Sequence, residues 1–372
     1  MEKNIKKQYN ILFISSFGDL KGGGQRSLLL LLKYLNKQKF IPLVIVPEKG
    51  EVAQELEKMG MEVIVLSFPR IRSINTFKVL AALFKLKSIV KAKEIDIIHA
   101  DSPRETAYAG IVRFFLKVRV ILHLRVSDKV SWIDKIVYQL TDRMIAVSRS
   151  LTFRFKGMDK KNKISVVYNA VDLDEFKPLA YKQDENKTLR IGYFGRIVKR
   201  KGIDVLIKAC MYFEGEISLL IMGSGEEKYI AELKKMAEID KRIEFKPYQQ
   251  NIRDEINTVD MVVLPSVQGE GLSRIIIEAM AMGKIAIVSN HPENLEALGY
   301  DLKKFAFKNN DEKDLARIIN KIRNNKGLQD SIRLVSRKRA EHFFDARKNT
   351  VLIENIYYSI LGKKDEKNKK QN

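Results

Sequence analysis

The sequence has little cysteine and no long apolar run, and both absences narrow the class of protein. Cys210 is the single cysteine in 372 residues, so no internal disulfide can form, and we expect a reducing, cytoplasmic compartment. No stretch approaches the roughly 18–20 consecutive apolar residues of a membrane-spanning helix. The N-terminal ILFISSF stops at Gly18 and Asp19 without a small-residue cleavage site. We therefore expect a first β-strand there rather than a signal peptide.

Positive charge, by contrast, is abundant and unevenly distributed. The chain carries 68 Lys and Arg against 46 Asp and Glu, a formal net charge of +22. Residues 1–180 hold 32 basic and 18 acidic side chains, and the densest run, Arg70–Lys93, holds seven bases and no acid. With 45% hydrophobic and 31% charged residues, the composition is that of a globular protein of about two domains. The charge excess indicates an anionic partner.

The basic run predicts an amphipathic helix. Phe77, Leu80, Ala81 and Phe84 follow the i, i+3, i+4, i+7 spacing of one helical face. Such a helix can lie on an anionic membrane surface, which Lys78, Lys85 and Lys87 would contact. Alternatively, it packs on a sheet and keeps its lysines in solvent. Nucleic acid is the weakest explanation, because no RNA- or DNA-binding motif is present, and we expect no nucleic-acid partner.

Short apolar strands alternate with helical patterns along the whole chain. This alternation is typical of βαβ units and parallel sheets, so we predict an α/β protein with two Rossmann-like, doubly wound domains facing each other across a cleft. The predicted strands are Ile11–Ser15, Leu43–Val46, Val63–Leu66, Ile97–Ala100, Val120–Leu124, Arg143–Val147, Ile164–Val167, Leu189–Phe194, Ser218–Met222, Ile243–Phe245, Met261–Leu264 and Ile285–Val288. Ligands of such folds bind beyond the carboxyl ends of the strands.

A polar, apolar-poor segment, AYKQDENKT at 180–188, interrupts the alternation. We therefore place an N-terminal domain at 1–178, a linker at 179–188 and a second domain at 189–340. A closing helix at 341–361 would cross back to the first domain. The charged end, residues 362–372, predicts a disordered tail.

Two strand–helix connections carry residues suited to phosphate. After the first strand, Gly22, Gly23 and Gly24 precede a helix whose N-terminal N–H groups could face an anion, although a flexible turn explains them equally well. After IGYFGR, the cations Arg196 and Lys201 suit a diphosphate. Solvated surface charge is the alternative for both cations.

The segment LPSVQGEGLSRIIIEAMAMGK contains two carboxylates eight residues apart, Glu270 and Glu278. If all eight steps were helical, they would lie about 12 Å apart along the axis, too far to act on one atom as an acid–base pair. They could instead contact two ends of an elongated ligand, with Glu278 accepting ribose hydroxyls and Glu270 those of a second sugar. Otherwise both are surface glutamates.

These residues carry a resemblance to glycosyltransferase family 4, of GT-B fold. GRIVKRKGIDVLIKA, LLIMGSGEE and NTVDMVVLPSVQGEGLSRIIIEAMAMGKIAIVS resemble the family's nucleotide-sugar half, with its E-x(7)-E motif on Glu270 and Glu278. GGGQRSLLLLLKYL, DIIHADSP, LHLRV, TDRMIAVSRS and VVYNAVDLDEFKP resemble its first half. The resemblance covers roughly residues 10–360.

The resemblance implies retaining transfer of a hexose from a nucleotide diphosphate sugar to a glycan or lipid-linked acceptor, in cell-surface polysaccharide assembly on the cytoplasmic face of a membrane, with no cofactor or metal required. Arg196 and Lys201 would neutralise the leaving diphosphate, while Glu270 and His123 would lie beside the donor sugar. By residue type alone, His123 is a buried strand-end histidine. Donor contacts would fall on Gly24, Gly195, Gly223, Gly271, Leu272, Ser273 and Glu278, and acceptor contacts on Gly22, Gly23 and His99.

Some residues depart from the family pattern. Ala170 stands where the family often has glycine, and no glycine precedes Pro292 and Glu293. Asp172 and Asp174 spell D-x-D, but they precede the linker, so we interpret them as structural. Two other functions remain open: a nucleotide-sugar epimerase of the same fold, and a non-catalytic membrane- or polyanion-binding protein.

Overall fold

The structure, a computed structural model, describes residues 8–70, 76–125, 131–179, 188–238 and 240–369. The described residues up to Tyr168, together with those from Ala346 onward, form one compact unit, and Asn169–Asp345 form a second. Residues 169–178, which the sequence analysis placed in the first domain, therefore belong to the second unit. The predicted linker falls almost wholly on residues outside the described ranges.

The described residues of the first unit form a seven-stranded parallel sheet in the order β3-β2-β1-β4-β5-β6-β7. Its strands are β1 (Tyr9–Ile14), β2 (Phe40–Val46), β3 (Glu62–Val65), β4 (Ile97–Ala100), β5 (Arg119–Leu124), β6 (Arg143–Ala146) and β7 (Ile164–Val166). The helices between them are α1 (Gly23–Tyr34), α2 (Glu51–Lys58), α3 (Thr76–Ala92), α4 (Pro103–Phe115), α5 (Ser131–Leu140) and α6 (Arg149–Thr152).

The second unit has a five-stranded parallel sheet among its described residues, in the order β10-β9-β8-β11-β12. The strands are β8 (Leu189–Phe194), β9 (Ile217–Gly223), β10 (Ile243–Pro247), β11 (Met261–Leu264) and β12 (Ile285–Val288). The helices are α7 (Ile203–Ala209), α8 (Glu227–Ala237), α9 (Arg253–Thr258), α10 (Arg274–Ala281), α11 (Pro292–Leu302), α12 (Glu312–Arg323) and α13 (Lys326–Phe343). The prediction of doubly wound parallel sheets is confirmed.

The last helix, α14 (Ala346–Lys369), belongs to the first unit. Tyr357 and Ile360 lie in the core that α1 and α2 form on one face of the sheet with Ile11 and Phe13. The alternate β1 residues, such as Leu12, face a second core shared with α3 and α4. Residues 362–369 continue the helix where we expected a disordered tail, because lysine and glutamate are good helix formers.

Both sheets reverse their strand order beside the first strand, between β1 and β4 in one unit and between β8 and β11 in the other. The loops that leave these two strands diverge, so a crevice opens at their carboxyl ends, where ligands of open α/β sheets bind. No helix among the described residues is long and apolar enough to cross a membrane.

Candidate active site

In the second unit, the connection after β8 brings Lys201 to the crevice. A short 3₁₀ turn, Lys199–Lys201, ends at Gly202, whose backbone is left-handed (φ 64°, ψ 30°). A Cβ atom at Gly202 would lie 2.1 Å from the carbonyl oxygen of Pro265, just beyond β11. Glycine thus allows the turn to pack directly on the next loop and places Lys201 beside the residues that follow Pro265.

Lys201 donates a hydrogen bond through Nζ to Oε1 of Glu270, and Ser266 Oγ donates to the same oxygen at 2.5 Å. The Lys201 and Glu270 side chains are each 11% exposed. Oε2 of Glu270 accepts no hydrogen bond from any residue that the structure describes. This second oxygen is thus available to a ligand.

Burial and neighbouring charges shift the pKa values of both Lys201 and Glu270. Burial raises the pKa of Glu270, but the Lys201 charge, the hydrogen bonds from Lys201 and Ser266 and the nearby Arg200 outweigh it, so the pKa is lowered overall. Burial lowers the pKa of Lys201, while Glu270 opposes that shift. Glu270 is therefore a carboxylate at neutral pH.

Arg196 lies at the same end of the sheet, and its side chain is exposed. Its backbone carbonyl accepts a hydrogen bond from Tyr193 Oη at 2.7 Å, which anchors the connection. Its guanidinium group makes no hydrogen bond or ion pair with any described residue, so it can meet an anion. Gly195 and Gly223 close the ends of β8 and β9, where a Cβ on Gly223 would collide with the Gly195 carbonyl.

The loop between Glu270 and α10 is held from two sides. The backbone N–H of Glu270 donates to Oε1 of Glu293, a buried residue in the first turn of α11. Asn169 Nδ2 donates to the carbonyl of Leu272 at 2.7 Å. Gly271, Leu272 and Ser273, which the resemblance assigned to donor contacts, therefore lie in an anchored segment that leads directly into α10.

Glu278 is buried on α10, and its Oε1 accepts from Arg274 Nη2 at 2.8 Å. Arg274 also donates to the carbonyl of Ala170 at 3.0 Å. No described residue donates to Oε2 of Glu278, which leaves that oxygen to a ligand. Asp172, interpreted as structural, accepts the N–H groups of Asp174 and Glu175 through one carboxylate oxygen.

In the first unit, a string of polar side chains crosses the carboxyl ends of β4 and β5. Oη of Tyr357 lies 2.6 Å from Nδ1 of His99, and Nε2 of His99 lies 3.1 Å from Nδ1 of His123. Arg125 reaches the same His123 nitrogen at 3.2 Å and also donates to Asp101 at 3.2 Å. Burial lowers the pKa of His99 to about 3, with a contribution from Arg125, and lowers the pKa of His123 well below its ordinary range. Both rings are neutral at physiological pH.

His99, Asp101 and His123 could also offer three ligand atoms to a metal ion. The Arg125 guanidinium, however, is bonded to two of these three residues. A fixed cation there disfavours a second one, so the group is better described as a hydrogen-bonded network.

The loop of Gly22, Gly23 and Gly24 lies near the hydrogen-bonded network of Arg125 and the two histidines. Gly22 precedes α1 with extended backbone, and α1 begins at Gly23. A Cβ on Gly24 would be 3.4 Å from Cδ of Arg125. The structure thus groups Gly22–Gly24 with Arg125 and the histidines in the first unit, whereas Arg196, Lys201, Glu270 and Glu278 lie in the second.

Helix α3 presents its aromatic residues outward. A narrow stripe, Ala82, Leu86 and Val90, is buried against the sheet. The predicted apolar face instead meets solvent, with Phe77 84% and Phe84 68% exposed. Among the three proposed membrane lysines, Lys78 and Lys85 are exposed and Lys87 is partly exposed.

Helix α4 extends this apolar surface, because α3 packs against it. Phe114 and Phe115 at its end are 79% and 65% exposed, and Lys87 Nζ lies 4.8 Å from the centroid of the Phe115 ring. We call this surface the aromatic–basic face; it comprises Phe77, Leu80, Phe84, Phe114 and Phe115 with Lys78, Lys85 and Lys87.

Sequence reasoning missed several members of both sites. Ser266, Arg274 and Glu293 support the carboxylates of the second unit, while Arg125 and Tyr357 engage the histidines of the first. Arg125 lies two residues beyond His123, a strand-end position that was a usable signal. Tyr357 offered none, because it lies 258 residues from His99 in sequence.

Comparison with known proteins agrees with the fold and the motifs. The family model described as glycosyl transferases group 1 matches residues 180–339, and the model for glycosyltransferase family 4 matches residues 21–175. The chain belongs to the family 4 glycosyltransferases, and it is an enzyme of that class.

Two curated relatives are named as glycosyltransferases. The capsular polysaccharide biosynthesis glycosyltransferase CapM of Staphylococcus aureus is 24% identical over 90% of this chain and 94% of its own. An Escherichia coli UDP-Gal:alpha-D-GlcNAc-diphosphoundecaprenol alpha-1,3-galactosyltransferase is 25% identical over 73% of this chain and 77% of its own.

Among solved structures, the HepE protein of Anabaena in complex with UDP superposes with a TM-score of 0.82. It is 20% identical over 94% of this chain and 100% of its own. A glycosyltransferase of Rickettsia africae superposes with a TM-score of 0.84, at 20% identity over 95% and 99% of the two chains. These similarities confirm the GT-B fold.

Proposed function

We propose that this enzyme transfers a hexose from a nucleotide diphosphate sugar to a lipid-linked glycan acceptor in polysaccharide assembly, with retention of configuration at the anomeric carbon. The name of the Staphylococcus relative supports a role in polysaccharide assembly, and the name of the Escherichia relative supports a lipid-linked acceptor. The UDP complex of HepE favours UDP as the nucleotide.

The observation that carries the proposal is the cluster of Lys201, Glu270 and Arg196 at the end of the second sheet. One oxygen of Glu270 is fixed by Lys201 and Ser266, and the other is available to hydroxyls of the donor sugar. Arg196 has no partner among the described residues and can bind the diphosphate with its planar fork. Both cations then stabilise the charge that develops on the leaving group.

Glu278 binds the ribose in this proposal. Arg274 fixes one carboxylate oxygen at 2.8 Å, so the carboxylate is oriented before the ligand arrives. The second oxygen accepts the ribose hydroxyls. A hydrogen bond to a charged acceptor contributes about 1.5–3 kcal/mol, which makes this contact a substantial part of nucleotide affinity.

The reaction then proceeds on one face of the sugar. The bond between the anomeric carbon and the diphosphate oxygen breaks, and its electron pair stays on the diphosphate. The acceptor hydroxyl oxygen forms the new bond to the same carbon and gives its proton to the departing diphosphate. No side-chain nucleophile is used in this proposal: Glu270 orients the donor sugar through its second carboxylate oxygen while Lys201 and Ser266 hold the first.

The aromatic–basic face brings the enzyme to its lipid-linked acceptor. Exposed phenylalanines on α3 and α4 can enter the interface of a bilayer, and the neighbouring lysines attract anionic headgroups. The run Arg70–Lys93 has no acid to oppose that attraction. We propose peripheral association with an anionic membrane through this face.

A ligand panel tests the proposed donor class. Purified enzyme is melted with UDP-, GDP- and other nucleotide sugars, since a ligand at one hundred times its Kd stabilises the folded state by about 2.7 kcal/mol. We expect a rise in Tm with at least one UDP-sugar and a smaller rise with UDP alone. A flat response to every nucleotide sugar would contradict the proposal.

A further inference from the structure

The hydrogen bonds of the histidine network determine where its protons lie. Each neutral imidazole has one N–H donor and one acceptor nitrogen, so the string from Tyr357 through His99 to His123 has two self-consistent proton arrangements. In the first, protons point from Tyr357 toward His123, and His123 keeps its own proton on Nε2. In the second, every proton is reversed, and Nε2 of His123 is a bare acceptor.

Arg125 selects between the two arrangements at one end. A guanidinium group has donors only, and Nη2 of Arg125 lies 3.2 Å from Nδ1 of His123. Nδ1 is therefore the acceptor, and the Nε2–H of His99, 3.1 Å away, shares its single lone pair with Arg125 in a three-centre hydrogen bond. The reversed arrangement would set two hydrogens against each other at this nitrogen.

Tyr357 selects the same arrangement at the other end. It is fully buried on α14, and His99 Nδ1, at 2.6 Å, is the partner of its hydroxyl among the described residues. If His99 donated to Tyr357, the buried O–H would have no acceptor in that part of the chain, a costly condition for a buried donor. The two ends of the string therefore agree.

We infer that Arg125 and Tyr357 act as positioning residues that lock His123 in the Nε2–H tautomer, so that it presents a hydrogen-bond donor to the oxygen of a bound ligand. Nε2 of His123 has no hydrogen-bond partner among the described residues, so its proton remains for that ligand. The lowered pKa of both histidines supports neutral rings. The ligand oxygen belongs to a sugar hydroxyl if the proposed function holds; the tautomer itself does not depend on it.

The consequence for the chemistry is specific. His123 in this state cannot remove a proton through Nε2, because that atom is already protonated, and its Nδ1 is occupied. It orients the ligand and polarises its oxygen. Proton removal from the acceptor then falls to another group, which agrees with transfer of that proton to the diphosphate.

The test is histidine side-chain NMR on the full-length enzyme, labelled with ¹⁵N-histidine, without substrate at neutral pH. The chain has four histidines, and His291→Gln and His342→Gln variants identify the other two. Long-range proton–nitrogen correlations distinguish the two neutral tautomers and the cation. We expect His99 and His123 each to be a single Nε2–H tautomer.

Variants show whether Arg125 and Tyr357 fix the tautomer of His123 or only support the fold around it. We expect Tyr357→Phe or Arg125→Met, each of which retains one selecting group, to keep the Nε2–H form as the major species. The Tyr357→Phe/Arg125→Met double variant should show a mixture of tautomers. Tyr108→Phe is the control, because Tyr108 is equally buried in the same unit and donates only to the Pro69 carbonyl, at 2.8 Å.

The wild-type spectrum alone decides the inference even if a variant does not fold. A proton on Nδ1 of His123, or on both nitrogens, would overturn it. Because no substrate is present, absence of sugar transfer would refute the proposed function without touching the tautomer. If transfer is observed, the double variant should lose kcat/KM more than Tyr108→Phe does.

Discussion

Lys201 and Glu270 form an ion pair that is almost closed to water, and the pair joins the connection after β8 to the loop after β11. They are 69 residues apart in sequence, and each side chain is 11% exposed. Ser266 Oγ donates a hydrogen bond to the same carboxylate oxygen. The pair therefore orders the candidate donor site, and each member compensates the buried charge of the other.

Replacing Lys201 by an uncharged residue should lower the free energy of unfolding. Lys201→Met leaves the Glu270 carboxylate buried with Ser266 as its remaining side-chain donor, and breaking one side of a buried pair costs about 3–5 kcal/mol. We expect a loss of this size in the free energy of unfolding, measured in urea. Lys199→Met, an exposed lysine in the same turn, should leave it nearly unchanged. Equal effects of the two variants would contradict the assigned contact.

The same pair predicts a pH dependence of stability. The pKa of Glu270 in the folded state lies below its ordinary 4.5, so its stabilising effect is complete above about pH 4.5. That effect is lost as the pH falls through the folded-state value. The charged groups around it are Lys201 and Arg200, with Glu293 on its backbone N–H.

Urea unfolding across a pH series measures this effect. We expect the wild type to lose more stability than Glu270→Gln as the pH falls below 4.5, because the glutamine cannot titrate. Parallel curves for the two proteins would show that Glu270 is not held as a carboxylate.

Glu278 should control nucleotide affinity. Glu278→Gln keeps the shape and an oxygen for Arg274 but removes the charge that the ribose hydroxyls would meet. At about 1.5–3 kcal/mol for a charged hydrogen bond, we expect UDP affinity to fall roughly ten- to hundredfold by isothermal titration. Glu232→Gln, on the exposed side of α8, is the matched control. Unchanged affinity in Glu278→Gln would remove Glu278 from the donor site.

Membrane association should depend on the aromatic–basic face. We expect the triple variant Lys78→Glu/Lys85→Glu/Lys87→Glu to lose binding to anionic liposomes by roughly a hundredfold or more, since each lysine near such a surface contributes about 1 kcal/mol. Nucleotide affinity should be unchanged. Lys228→Glu/Lys234→Glu/Lys235→Glu, exposed on α8, is the control with the same change in charge. If the two triple variants bind anionic liposomes equally well, the lysines of α3 have no special role in membrane binding.

Much of the fold could be predicted from sequence because its strands are short apolar runs separated by helical patterns. The two carboxylates and two cations of the donor site stand in recognisable motifs. The boundary after Tyr168 could not be predicted, since the polar residues 180–188 looked more like a linker. Long-range bonds place the preceding segment in the second unit: Arg274 donates to Ala170, and Val171 donates to Phe344 at 2.8 Å.

Contacts between residues that lie far apart in sequence could not be predicted from the sequence. Glu293 reaches the backbone of Glu270 because β11 and β12 are neighbours in the sheet, so the loops after them meet. Tyr357 reaches His99 because α14 packs on the first sheet. The outward face of α3 was also ambiguous: the periodic residues Phe77 and Phe84 resembled a buried stripe, but the alternate stripe through Leu86 packs inward.

The most direct test of the central claim is the transfer reaction itself. Wild-type enzyme is incubated with a UDP-hexose panel and a short diphosphate-lipid acceptor, and the product is examined by proton NMR at the anomeric position. We predict that one donor is consumed and that its anomeric configuration is the same in the product. An inverted linkage, or no transfer from any donor while the protein binds UDP, would contradict the account.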